Sequence, residues 1–129
     1  MGLSASNTLD LIQQIEHGFS FKTLQAFASN SGISVSVITA IVGIRERTLA
    51  RRKASTKLTT DESERLLRLS TVFQQAVELF EGDAVAAVKW LTTPRKALHK
   101  LSPLTYCRTE LGGREIENLI GRLEHGVFS

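Results

Sequence analysis

Cysteine is almost absent from this 129-residue chain, which contains only Cys107. A single cysteine cannot form an internal disulfide, and Cys107 is predicted to pack in the core because nothing nearby in the sequence would activate it as a nucleophile. The three histidines are too scattered to suggest a metal site: His17, His99 and His125. We therefore expect no disulfide, no metal and no other cofactor. A reducing, cytoplasmic environment fits best.

Long apolar runs are also missing. The longest mostly apolar stretch, residues 33–44, is interrupted by Ser34, Ser36, Thr39 and Gly43, so it is too short and too polar to span a membrane. The first residues do not combine a charged segment with a following apolar one, so no signal peptide is expected. No segment alternates apolar and polar residues long enough to predict a strand. The chain is therefore predicted to be all-α.

Two short helical patterns meet at Gly43. Residues 37–42 are short and apolar, as expected of a buried support helix, and residues 45–53 predict a second helix. Glycine at the junction permits the positive φ that a sharp turn requires. Four apolar positions have the spacing at which two short helices cross over one small core: Ile38, Val42, Ile44 and Leu49. The arrangement predicts a helix-turn-helix whose second helix lies on DNA.

Positive charge is concentrated on that second helix. Residues 45–57 contain six lysines and arginines against one acid, Glu46, which gives +5; the whole chain carries +3, so the rest is net −2. A basic run alone is usually a solvated helix face, but the preceding turn and apolar helix favour DNA binding. The N-cap position holds Arg45, where Ser, Thr, Asp or Asn would stabilise the helix better. The predicted DNA-binding residues are Arg45, Glu46, Arg47, Thr48, Arg51, Arg52 and Lys53.

Helical patterns continue on both sides of this motif. A short amphipathic helix is expected to end near Gly18, and a second is closed by residues 30–32. Thr59 and Glu62 have capping-box spacing at the start of a long helix. That helix carries a broad apolar stripe, which we interpret as core on one flank and dimer interface on the other. The candidate interface residues are Leu69, Phe73, Val77 and Phe80, and the alternative is that the same stripe is wholly internal.

Helix start signals also organise the C-terminal part of the chain. Asp83 is the predicted N-cap of an apolar helix at residues 84–91, and Ser102 followed by Pro103 marks another start. A clean amphipathic pattern within residues 114–124 predicts the last helix, with an apolar face formed by Ile116, Leu119, Ile120 and Leu123. We divide the chain into an N-terminal segment (1–19), a DNA-binding domain with a long dimerisation helix (20–80) and a C-terminal domain (81–129).

The C-terminal motifs resemble a known family. Ala87-x-x-Trp90-Leu91, Pro94-x-x-Ala97-Leu98, Ser102-Pro103-Leu104 and the block at residues 113–129 are similar to the toxin-binding domain of the Xre/MbcA/ParS antitoxins. Gly43-Ile44-x-x-Arg47-Thr48-Leu49-x-Arg51-Arg52 resembles the helix-turn-helix of the same family. Together these motifs span roughly residues 20 to 129 and occur in the expected order.

The resemblance implies a non-enzymatic antitoxin that forms a homodimer, binds operator DNA, represses its own operon and neutralises a RES-domain, NAD-consuming toxin. It also implies that the C-terminal region lies near the toxin's active-site cleft. The expected toxin-binding residues are Arg114, Glu117, Arg122, Glu124, His125, Gly126, Val127, Phe128 and Ser129. A dimeric transcription regulator with a C-terminal dimerisation or effector domain is the alternative. The apolar residues Val127 and Phe128 favour the antitoxin, because a regulator has no need for them.

Overall fold

Helices joined by short turns make up the part of the chain that the structure, a computed structural model, describes, namely residues 7–126. Over these residues there are two isolated antiparallel bridges and no strand, so the all-α prediction is confirmed there. The helices in chain order are α1 (Thr8–His17), α2 (Phe21–Ser31), α3 (Val35–Val42), α4 (Glu46–Ser55), α5 (Thr60–Leu79), α6 (Ala84–Thr92), α7 (Pro103–Tyr106) and α8 (Glu110–Glu124), with a 3-10 turn at Lys96–Leu98 before α7.

The chain divides into two compact units, Met1–Leu67 and Arg68–Ser129, and the division falls within α5. Our sequence-based boundary at residues 80 and 81 coincides with the end of α5, because the apolar stripe of that helix is continuous and offers no break within it. The predicted N-terminal segment contains α1, which belongs to the first unit together with α2, α3 and α4.

Side-chain caps begin most of the helices. In each case a short polar side chain accepts a hydrogen bond from the backbone N–H three residues later, which satisfies one of the free donors of the first turn. The capping residues are Asn7, Ser20, Ser34, Asp83, Ser102 and Thr109. The predicted capping box of α5 is present: Thr59 N–H donates to Glu62 Oε1 at 2.9 Å, and Glu62 N–H donates to Thr59 Oγ1 at 3.1 Å.

The first unit is closed by contact between two linkers. Leu58 N–H donates to the Phe19 carbonyl and Phe21 N–H to the Thr56 carbonyl, both at 2.8 Å, so the α1–α2 linker pairs with the α4–α5 linker. Gly18 permits this approach: its φ is +86°, and a Cβ there would lie 2.1 Å from the Leu58 carbonyl oxygen. The unit buries the apolar side chains Phe19, Phe21, Leu24, Phe27, Ile33, Ile38, Ile41, Val42, Ile44, Leu58 and Leu66.

In the second unit the later part of α5 shares a core with α6, α7 and α8. Its buried side chains are Leu69, Val72, Phe73, Ala76, Ala87, Leu91, Leu98, Pro103, Leu104, Cys107, Ile116 and Ile120. This burial corrects our prediction of the dimer interface. Leu69 and Phe73 are buried by the chain itself and are not available to a second copy, whereas Val77 and Phe80 remain half-exposed.

Candidate functional site

The predicted helix-turn-helix is formed by α3, Gly43 and α4. Gly43 ends α3 in the left-handed region, with φ +91°, and its N–H donates to the Thr39 carbonyl. Ile44 then points into the core at 5 % exposure, and Arg45 caps α4 without a side-chain hydrogen bond, as the sequence indicated. The first helix of this motif, α3, begins two residues earlier than predicted, because Ser34 caps it by accepting a hydrogen bond from the Val37 N–H.

Our sequence reasoning missed a second turn of the same kind between α2 and α3. Gly32 ends α2 with φ +81°, Ile33 is buried, and Ser34 caps α3, so the Gly-Ile-cap order at residues 32–34 repeats at residues 43–45. The repeated Gly-Ile pair in the printed sequence is the signal that could have revealed it. Two consecutive helix pairs therefore share α3, and geometry alone does not select the one that meets DNA.

Charge selects α4. The α3 sequence VSVITAIV contains no ionisable residue, whereas α4 carries most of the cations of residues 45–57. Arg45, Arg47, Arg51 and Lys53 are all exposed, and within residues 7–126 none of them forms an ion pair. Glu46 is exposed as well and Thr48 is half-buried. An exposed row of uncompensated cations on one short helix is the electrostatic footprint expected of a DNA-reading element.

Arg52 differs from its basic neighbours. Its Nε lies 2.8 Å from Glu62 Oε1 and 3.2 Å from Oε2, and the two side chains are only 20 % and 8 % exposed. Burial works to raise the pKa of Glu62, but hydrogen bonds from Arg52 and from the Thr59 backbone outweigh it and lower that pKa. The same hydrogen bond raises the pKa of Arg52. Arg52 is thus a paired cation and not one of the free charges of α4.

In the second unit, the predicted toxin-binding residues lie on different parts of α8. Arg114 is exposed and pairs with Glu110 at 2.9 Å, while Arg122, Glu124, His125 and Gly126 are exposed at the end of the helix. Glu117 is half-buried and accepts a hydrogen bond from Gln75 Nε2 at 3.0 Å. Val127, Phe128 and Ser129 lie outside the described residues. The described part of the predicted set is therefore mostly available to a partner, with Glu117 engaged inside the unit.

An apolar groove beside α8 was not predicted. It has a volume of about 330 Å³ and runs between α7 and the first turn of α8, lined by Leu101, Thr105, Tyr106, Arg108, Thr109, Leu111, Gly112 and Glu115. Leu111 is 68 % exposed and Leu101 is 41 % exposed. The sequence did contain a signal for this exposed leucine: at helical spacing, Leu111 does not fall on the apolar stripe that begins at Ile116. This groove is a candidate surface for contact with a protein partner.

Residues 7–126 contain no group of His, Cys, Asp and Glu side chains that could hold a metal ion. Cys107 is fully buried, as predicted, and burial raises the pKa of its thiol to about 12, so it is un-ionised at neutral pH. None of the helices in this range has both the length and the apolar content needed to cross a bilayer.

Comparison with known proteins accounts for both units. Residues 10–70 match the Antitoxin Xre-like helix-turn-helix domain family, and residues 75–126 match the Antitoxin Xre/MbcA/ParS C-terminal toxin-binding domain family. The two matched domains thus define a helix-turn-helix antitoxin of the type II toxin–antitoxin class. A protein named Antitoxin Xre from Yersinia enterocolitica is 41 % identical over 130 residues, covering all of this chain and 88 % of that protein. The chain belongs to the Xre antitoxin family.

Two further relatives share the same name. Antitoxin Xre from Photorhabdus laumondii is 41 % identical over 90 residues, which cover 69 % of this chain and 61 % of that protein. Antitoxin Xre from Pseudomonas putida is 32 % identical over 81 residues, which cover 62 % of this chain and 50 % of that protein. The family resemblance stated from the sequence motifs is confirmed.

Proposed function

We propose that this antitoxin neutralises a RES-type, NAD-consuming toxin by covering the toxin's active site with its C-terminal region, and that it binds operator DNA as a homodimer to repress its own operon in the cytoplasm. The observation that carries the DNA half is the set of exposed, unpaired cations on α4. The toxin half rests on the match of residues 75–126 to a toxin-binding domain, together with the apolar groove at the start of α8.

On DNA, the start of α4 enters the major groove. Arg45, Glu46, Arg47 and Thr48 then approach base edges, and Arg51 and Lys53 lie nearer the phosphates. Arginine binds guanine through two parallel hydrogen bonds, whereas a cation on a phosphate adds affinity without sequence preference. A single helix of ten residues supplies little affinity alone, so two copies read two half-sites.

A dimer needs a surface that the chain does not cover itself. Val77 and Phe80 are the half-exposed part of the α5 stripe, and Phe80 borders a groove of about 280 Å³ with Trp90 and Arg95. Val85, 82 % exposed on α6, adds apolar surface. Sedimentation of the free protein at micromolar concentration tests this part of the proposal, and a stable monomer would contradict it.

On the toxin, Arg114 and Arg122 pair with acidic groups at the rim of the cleft while Leu111 and Phe128 bury apolar surface. Burying one large apolar side chain contributes on the order of 1.5–3 kcal/mol. Arg114 has to exchange its ion pair with Glu110, which costs little because both side chains are more than half exposed. The C-terminal region then blocks the toxin's active site, because the dinucleotide cannot enter a cleft that the antitoxin covers.

Deletion of residues 126–129 tests the occlusion. Because α8 ends at Glu124, the truncated chain is expected to stay folded and to bind operator DNA as the parent does. Co-expressed with a RES-type toxin encoded by the adjacent gene, it is expected to lose protection, measured as growth and as cellular NAD. Full protection by the truncated chain would place neutralisation elsewhere on the surface. Leu111→Ser, tested in the same assay, then reports whether the groove contributes.

A further inference from the structure

The DNA-reading helix is poorly anchored by apolar contact. None of the residues of α4 is buried, and Leu49 is its one large apolar side chain, half-buried against the unit. Its first turn has no side-chain cap, and it ends at Thr56 in the left-handed region, with φ +61°. A ten-residue helix is marginal in water and depends on tertiary contacts for its stability. Polar contacts therefore contribute to holding α4 in place, beside the hydrogen bond from the Phe21 N–H to the Thr56 carbonyl at its end.

The polar contact made by the α4 side chains themselves is the ion pair between Arg52 and Glu62. Glu62 is 6 % exposed, and its carboxylate accepts hydrogen bonds from Arg52 Nε and from the Thr59 N–H. One carboxylate therefore takes part in the cap of α5 and binds the last turn of α4. Because the capping box already fixes the Glu62 side chain, little further side-chain entropy is lost when Arg52 binds it.

One turn further along α5, Arg65 holds the other helix of the motif. Arg65 Nη1 donates to the Val42 carbonyl oxygen at 3.0 Å. This carbonyl belongs to the last turn of α3, where carbonyls lack a partner within the helix. A Cβ on Gly43 would lie 3.3 Å from the same Nη1, so glycine at the turn also leaves room for the arginine.

We propose that Glu62 and Arg65 are positioning residues for DNA reading: from adjacent turns of α5 they hold α4, through Arg52, and the end of α3 in the orientation that meets the major groove. This inference rests on the proposed DNA-binding function of α4. It assigns Arg52 a different role from its neighbour Arg51. The charge of Arg52 is compensated by Glu62, so Arg52 sets orientation and contributes little to phosphate binding.

The neighbouring arginines provide a matched pair of variants, Arg52→Gln and Arg51→Gln. Binding is measured by fluorescence anisotropy, over a range of salt concentrations, on a duplex from the promoter region of the antitoxin gene and on a random duplex of equal length. Arg52→Gln is expected to lose about tenfold in affinity for the promoter duplex, with an unchanged salt slope, because a hydrogen bond between charged groups is lost. Arg51→Gln is expected to lower the slope by about 0.9 per protomer on both duplexes.

An equal loss of slope for both variants would overturn the proposal, because Arg52 would then be a phosphate contact. Arg52→Lys keeps the charge but loses the planar fork of the guanidinium, and it serves if Arg52→Gln does not fold. Arg52→Lys is expected to keep the parent's salt slope and to lose the preference for the promoter duplex over the random duplex. Arg65→Gln is expected to show the same unchanged slope and the same loss of preference. Parent-like preference in both would also overturn the proposal.

Hydrogen exchange separates this proposal from the DNA-binding function itself. The amides of residues 46–55 are expected to exchange faster in Arg52→Gln and in Glu62→Ala than in the parent, while those of α2 stay unchanged. Unchanged exchange in α4 would overturn the positioning role whatever happens on DNA. If the parent shows no preference for the promoter duplex but exchange in α4 rises as expected, the DNA-reading function fails and the anchoring of α4 stands.

Discussion

Two glycines on α8 are expected to respond in opposite directions when changed to alanine. Gly112 lies in the first turn of α8, where a Cβ would stand 1.9 Å from the Tyr106 carbonyl oxygen and 2.9 Å from its carbon. Both of these are backbone atoms, which cannot rotate away. Gly121 lies in the last turns of the same helix, and a Cβ there meets nothing within 4 Å.

The magnitudes follow from these distances. Carbon and oxygen atoms that are not bonded stay more than about 3 Å apart, so Gly112→Ala must shift the start of α8 by more than about 1 Å, which typically costs about 1–3 kcal/mol in a packed region. The higher helix propensity of alanine offsets up to about 1 kcal/mol of this. A net destabilisation of about 1–2 kcal/mol is expected. Gly121→Ala keeps the propensity gain without the clash and is expected to stabilise by about 0.5–1 kcal/mol.

Urea unfolding followed by tryptophan fluorescence measures both changes. Trp90 is the only tryptophan and lies in the second unit, so its signal reports the unit that contains α8. With a denaturant slope of roughly 1 kcal/mol per M for so small a unit, the midpoint is expected to fall by about 1–2 M for Gly112→Ala and to rise by up to about 1 M for Gly121→Ala. A stable Gly112→Ala protein with the parent's midpoint would refute the close approach of α8 to the Tyr106 carbonyl.

Three further predictions concern DNA reading and the buried thiol. Arg47→Ala is expected to lose roughly 1–3 kcal/mol on promoter DNA and to discriminate less against random DNA in gel shifts; equal losses on both would exclude base reading. Arg51→Ala is expected to weaken both duplexes alike and to reduce the salt slope by about one, so an unchanged slope would contradict a phosphate contact. Burial raises the pKa of Cys107 from 9.0 to about 12. The unfolded thiol therefore ionises first, and stability should fall as pH rises above 9 by up to about 1.4 kcal/mol per unit. The Cys107→Ala variant should not show this loss of stability above pH 9. If the urea midpoints of the parent and of Cys107→Ala changed with pH in parallel, the prediction would be contradicted.

Local sequence signals correctly predicted the starts of three helices, α5, α6 and α7. Asp83, Ser102 and the Thr59–Glu62 capping box act as expected, because capping depends on residues within three positions of one another. The turn at Gly43 is equally local. The missing side-chain cap at Arg45 was visible for the same reason.

The sequence predicted a cation-rich helix, but it did not predict the ion pair that engages one of its cations. The concentration of cations at residues 45–57 is a property of composition, so it is readable without coordinates. Which of those cations is free depends on what lies opposite each one. Arg52 faces Glu62, ten residues away on another helix, and no spacing rule links the two positions.

Periodicity, capping residues and short motifs were therefore enough to predict the all-α fold class and the family. Which apolar residues stay exposed depends on how the helices pack against one another. Periodicity shows that Leu69, Phe73 and Val77 share a face of α5, but burial depends on the helices that pack against that face. These helices bury Leu69 and Phe73 and leave Val77 half-exposed, and the start of α8 leaves Leu111 in solvent. Such contacts join residues far apart in the chain, and no local pattern of residues specifies them.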